Sequence, residues 1–215
     1  MGALTELVKD VQVVAPEVPK FVVERQLLRA SRDFLEFSRA WRVDIQVGVT
    51  DSTATTDITN LLPTNTELVD VISMKNSSGG QPVTATTTAN LENNTSYRRN
   101  QEALDANWFL LEDNNILRFV YTPSTTVANK YYTRVAVKPT LSAAAVDDRV
   151  LNKYDETLVD GALGRLLAMP RKPWTDFALA EFYYVQFESE KQAARTEAAE
   201  EFQTGVPRKV KYGGL

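Results

Sequence analysis

The 215-residue sequence contains no cysteine and no histidine. These absences exclude disulfides, thiolate nucleophiles, zinc sites of the usual kind and every imidazole-based general base or triad. An enzyme built from this chain would have to use carboxylates, a lysine, a serine with a lysine, or a metal held by oxygen ligands. Acids of that kind occur as Asp155, Glu156 and Asp160 and as Glu188, Glu190, Glu197, Glu200 and Glu201. Their helical spacing reads as a solvated face. A phosphate-binding glycine loop, a Walker lysine, a nucleophile elbow and a spaced calcium loop are also missing. No catalytic residue, metal ligand or cofactor is therefore expected. No apolar run reaches the roughly 20 residues that span a bilayer, and the N-terminal MGALTELVKD carries acids where a signal peptide carries bases. The expectation is a cytoplasmic start and no membrane.

What the chain does have is ordinary globular composition, 43% hydrophobic and 24% charged, with a net charge of -4. One domain with an elaborated insert fits that length. The acidic balance gives no global drive toward nucleic acid, so proteins are the expected partners. The Asn-X-Ser/Thr triplets at Asn76, Asn93 and Asn94 read as turn residues.

The stretch Gly161 to Trp174, GALGRLLAMPRKPW, organises the C-terminal part. Before it, Leu151, Tyr154, Leu158, Ala162, Leu166 and Met169 recur at steps of three and four, the spacing of one helical face. Pro170 ends that helix because it lacks an N–H to bond back to the preceding turn. After Pro173, the side-chain oxygens of Thr175 and Asp176 can accept the free N–H groups of a new helix. Its face runs through Ala180, Tyr184, Phe187, Ala194 and Ala198. So short a connection predicts an antiparallel helical hairpin, with Met169, Pro170, Pro173 and Trp174 as its turn. The aromatic run Trp174, Phe177, Phe182, Tyr183, Tyr184 and Phe187 reads as the core of that hairpin. Gly161 and Gly164 each cost up to about 1 kcal/mol against alanine inside a helix. They point either to close approach of another backbone or to tolerated imperfection.

Upstream, residues 3 to 14 are weakly helical until Pro16 and Pro19. From Val22 through Trp41 the positions Leu27, Ala30, Phe34, Phe37 and Trp41 mark a core helix. Arg29 with Asp33 and Arg32 with Glu36 stand four apart on its other side. At Arg42 the period changes to 2, as Val43, Ile45, Val47 and Val49 alternate with polar residues. Further strands are predicted at Leu68 to Met74, Trp108 to Leu111, Ile116 to Tyr121 and Tyr131 to Val137. Asp113-Asn114-Asn115 reads as a hairpin turn. The segment Asn76 to Pro82 reads as a flexible turn, and Thr84 to Asp105 as a long polar loop that either contacts a partner or is simply solvated.

These segments predict an α+β fold. A four-helix core, with two N-terminal helices and two C-terminal helices as an antiparallel hairpin, occupies residues 1–42 and 141–203. An antiparallel β domain is inserted at 43–140, and an extended tail fills 204–215. In that tail Val206, Pro207, Arg208, Lys209, Val210, Lys211 and Tyr212 cannot continue a helix past the proline. They read as a peptide that orders on a partner, since three charges fall short of the roughly 6 to 10 phosphate contacts of a strong DNA binder.

The order of these pieces, with Arg39-Ala40-Trp41 closing the long helix and Arg165 to Trp174 forming the hairpin, resembles the head-to-tail adaptor proteins of tailed bacteriophages. These are also called connector, head-completion or tail tubular A-type proteins. The resemblance implies a structural virion protein with no reaction to catalyse. It implies a ring of about a dozen copies of the chain at the head–tail junction, assembled in the host cytoplasm. Its partners would be the portal protein and a nozzle or tube protein of the tail, with DNA passing through the channel without sequence-specific binding. The tail from Val206 to Leu215 would grip the portal. The alternative is a tail or capsid-decoration module that recognises a surface or glycan through its β domain.

Overall fold

The computed structural model describes residues 2–92, 102–103, 106–113 and 115–200. The chain runs β1 (Gly2–Ala3), α1 (Val8–Val14), α2 (Lys20–Ser38), β2 (Arg42–Val49), β3 (Thr55–Asp57), β4 (Thr66–Asn76), β5 (Pro82–Ala85) and α3 (Thr88–Glu92). It continues through β6 (Glu102–Ala103), β7 (Trp108–Asp113), β8 (Ile116–Phe119), β9 (Thr122–Pro123), β10 (Val127–Pro139), β11 (Ala145–Val146), α4 (Asp148–Leu167) and α5 (Phe177–Ala199).

The expected four-helix core with an inserted antiparallel β domain is not what this chain builds. The fold is mixed α/β, with a nearly closed seven-stranded sheet and five α-helices among the described residues. Three physical facts account for the difference. The N-terminal helix is only seven residues long, since Ala15 caps it just before Pro16. Two short elements in the polar middle, β5 and α3, form where a Thr-rich sequence without a period predicts turn and loop. The sheet is also not purely antiparallel, for β5 runs parallel to β7.

The strand order is β2-β10-β4-β5-β7-β8-β3. Alternation in β2 buries Ile45, Val47 and Val49, and the 13-residue β10 pairs antiparallel with β2 on one side and β4 on the other. At the far end β8 pairs with β3, so the outer strands β2 and β3 are neighbours in the chain. They approach each other, Thr56 Oγ1 donating to the Gly48 carbonyl at 3.3 Å. Within the sheet Tyr131 stacks on Phe119 with ring centroids 4.9 Å apart, and its hydroxyl accepts from the Ala106 N–H.

Helices α2, α4 and α5 pack together, and the buried cluster runs without a break from Leu27, Phe34, Leu158 and Phe187 to Val47, Val135 and Leu117. Helix α2 ends at Arg39, whose left-handed backbone (φ 55) lets its N–H bond the Leu35 carbonyl. Trp41 follows into the core. Helix α4 starts at Asp147, whose carboxylate accepts from the Arg149 N–H at 2.8 Å. That bond satisfies one of the free donors of the first turn.

Candidate functional site

Helix α5 carries the features a docking protein would use, and three groups of residues fix it. The first is the turn before it. Helix α4 stops at Leu167, and the Met169 N–H bonds the Leu166 carbonyl at 3.1 Å. Arg171 takes a left-handed backbone (φ 58). The Thr175 hydroxyl accepts from the Lys172 N–H and donates to the Met169 carbonyl, closing the loop on itself. Asp176 caps α5 by accepting from the Leu179 N–H at 3.0 Å, while its own N–H bonds the Leu167 carbonyl. Met169 and Trp174 lie partly buried against the core, and Pro170 and Pro173 are exposed. These four residues are brought together in one turn.

The second group is the seam. A Cβ on Gly161 would sit 2.6 Å from the Phe187 ring and 3.0 Å from Ala30, and one on Gly164 would sit 3.2 Å from the Tyr184 nitrogen. The two glycines therefore let three helices meet at close range. Next to them lies a charged hub. Lys191, 5% exposed, reaches Asp33 at 3.2 Å and Glu188 at 2.6 Å, and Asp33 also takes Arg165 of α4. Burial pulls the Lys191 ammonium down, but its bonds to Glu188 and Asp33 outweigh that and hold it above its ordinary value. The Phe37 and Phe187 rings flank it at 5.1 Å. One carboxylate thus ties α2, α4 and α5 together.

The sequence pairs Asp33 with Arg29 and Arg32 with Glu36. The structure instead gives Asp33 to Arg165 and Lys191, and Arg32 to Glu67 at 3.1 Å and to the Pro139 carbonyl. Sequence reasoning missed this hub. The available signal was Lys191 itself, which stands on the apolar stripe between Phe187 and Ala194 at helical spacing.

The third group holds the end of α5. Arg42 donates to the Ala198 carbonyl, and Lys153 and the Tyr154 hydroxyl both reach Glu197. Burial and the Glu197 carboxylate keep the Tyr154 phenol protonated well above its usual range. Arg42 stands between two clefts. One, of about 410 Å3, is lined by Trp41, Asp44, Arg134, Arg149 and Lys153, and the other, of about 330 Å3, by Arg39, Asp70, Arg195 and Ala199. Arg134 grips Asp44 through two bonds of 2.7 and 3.1 Å and holds that carboxyl below its ordinary value. The predicted docking residues Val206, Pro207, Arg208, Lys209, Val210, Lys211 and Tyr212 lie outside the described residues.

The N-terminal half of α5 differs from what the sequence suggests. Of the aromatic run, Phe187 is fully buried and Trp174 and Tyr183 are partly buried. Phe177, Phe182 and Tyr184, together with Val185, are each more than half exposed. They are surface, not core. Asp160 of α4 is pushed up to about 6 by burial and by the neighbouring carboxylates of Glu190 and Glu156. Among the described residues no group of acids or other ligands is arranged to hold a metal ion, and no helix is long and apolar enough to cross a membrane. The site has the chemistry of an interface: apolar surface, charged seams and a fixed exit for the chain.

Residues 4–209 match the family model described as SU10 adaptor protein. No curated protein matches the chain. The match covers nearly the whole sequence, and the chain belongs to this family of phage structural adaptor proteins.

Proposed function

With membership of the SU10 adaptor protein family as the premise, we propose that the chain forms the ring that joins the portal to the tail of a tailed phage. The ring continues the DNA channel. The observation that carries this reading is the family match over residues 4–209. Its partners are the portal protein, a nozzle or tube protein of the tail, and about a dozen copies of itself, and its place is the virion. No chemistry is required of it. DNA slides past a protein of net charge -4, and an acidic wall does not retain a polyanion.

In this function the segment from Val206 to Leu215 docks on the portal. The closed turn from Met169 to Trp174 sets the direction of α5, and Arg42 and Lys153 fasten its last turn. The tail therefore departs from a fixed point, which lowers the entropy lost when it binds. Electron microscopy of the protein mixed with its cognate portal tests the function. A closed ring at one end of the portal is expected, and its absence from saturated mixtures overturns the reading. Deleting Val206 to Leu215 should abolish portal binding and leave the circular dichroism melt unchanged; undiminished binding by the truncated chain refutes the docking role.

A further inference from the structure

The three-helix end of the molecule has two outer faces that this chain leaves incomplete. On the first, Val13 and then Phe21, Arg25 and Arg29 are exposed. The last three follow at four-residue steps and so rise along one side of α2. Among the described residues neither Arg25 nor Arg29 has a carboxylate partner. This face is apolar and basic.

On the second face Glu181, Phe182 and Val185 of α5 are exposed. Glu190, five residues and so about 140° around the helix from Val185, belongs to another side of α5, where its Oε2 is buried without a hydrogen-bond partner among the described residues, near Asp160 and Glu156 of α4. Lys191 turns toward Asp33 of α2. Glu190, one residue or about 100° away around the helix, turns to Asp160 instead. The second face is apolar and carries the carboxylate of Glu181.

Contiguous exposed apolar surface marks an interaction site. The two faces also match in height. Helices α2 and α5 run in the same direction, since Asp33 meets Lys191 and Phe37 meets Arg195. The offset of 158 residues between Asp33 and Lys191 puts Phe21 level with Leu179 and Arg25 level with Tyr183. Rotation about an axis along these helices carries one face to the other without a change of level.

We propose that the α2 face bearing Phe21, Arg25 and Arg29 of one copy docks on the α5 face bearing Glu181, Phe182 and Val185 of the next. It is a heterologous contact whose repetition closes a ring. The occupant is a second copy of this chain because each face supplies the charge the other lacks. Pairing like with like across a two-fold axis would set arginines against arginines. The inference rests on the adaptor reading only for the existence of a ring of copies.

The absence of cysteine from the chain makes a direct test available. Full-length protein carrying both Arg25→Cys and Glu181→Cys is oxidised, alone and with the portal protein, and resolved on a non-reducing gel. A ladder extending past the dimer is expected, while each single-cysteine variant gives no ladder. Absence of the ladder in both conditions, or efficient dimers from Arg25→Cys alone, overturns the interface. As a second measurement, Arg25→Glu with Arg29→Glu, and separately Glu181→Lys, should each lower the multimer fraction at least tenfold. An equimolar mixture of the two should restore it, because each then offers the face the other needs. Failure of the mixture, with both variants folded by circular dichroism, also overturns it. Portal binding of the unmodified chain, read in parallel, separates the failures. Binding without a ladder removes this interface and keeps the adaptor, and a ladder without binding does the reverse.

Discussion

The first nine residues of α5 and the stretch from Phe187 onward meet different surroundings. From Phe187 onward the inward groups are engaged within the subunit: Phe187 fills the notch at Gly161, Lys191 joins Asp33 and Glu188, and Ala198 is held by Arg42. In the N-terminal half Ala180 packs inward, but Phe177, Phe182, Tyr184 and Val185 face outward. The difference teaches that one half stabilises the subunit and the other is available to something outside it. An apolar side chain contributes only where atoms surround it.

Substitutions along this helix and its neighbours can break or sharpen that contrast. The largest effect is expected from Phe187→Ala, about 3–5 kcal/mol of stability lost by urea unfolding, against no more than about 0.5 kcal/mol for Phe182→Ala in the isolated subunit. Equal losses for the two would abolish the distinction between the halves. Next comes Gly161→Ala, whose new methyl group meets the Phe187 ring and should cost about 1–3 kcal/mol by overpacking. Gly164→Ala, with a looser 3.2 Å contact and a gain in helix propensity of up to about 1 kcal/mol, should cost less than half as much. Asp33→Ala strips one carboxylate from both Lys191 and Arg165. Because Asp33 is 37% exposed, the loss should be about 1–2 kcal/mol, below that of a fully buried pair.

The smallest expected effect is at Asp160, and it depends on pH. Its folded value of about 6 exceeds the ordinary carboxyl value of 3.8, so the folded state holds the proton more tightly. Stability from this group is complete below about pH 4 and is lost as pH rises through about 6. Asp160→Asn should therefore melt about 2 °C above the parent at pH 7 and level with it near pH 4. A difference that is the same at both pH values would show that carboxylate repulsion is not its cause.

The helices were legible where one period and one neighbour coincide. Leu27, Ala30 and Phe34, or Leu158, Ala162 and Leu166, can only be an inner stripe, and the proline-flanked turn followed from backbone chemistry. The same reasoning failed at Phe182 and Tyr184, because periodicity identifies an apolar face without saying whether the chain itself covers it. The α+β expectation of a four-helix core failed for a related reason. Thr55 to Asp57 and Pro82 to Ala85 have too few residues to show alternation, yet they extend the sheet until it nearly closes. The hub at Asp33 was hidden because its partners lie 132 and 158 residues away.

The approach of β2 to β3 bears on how crowded copies behave. An unpaired sheet edge is a template on which any other strand can add. Here β3 comes up to β2 with Thr56 bonded to the Gly48 carbonyl, so at that point the edge is engaged within the subunit. In the proposed ring assembly, indiscriminate strand addition, the route to fibrous by-products, is discouraged at that point. Recognition is left to side chains on helices, which can be selective about partner and angle.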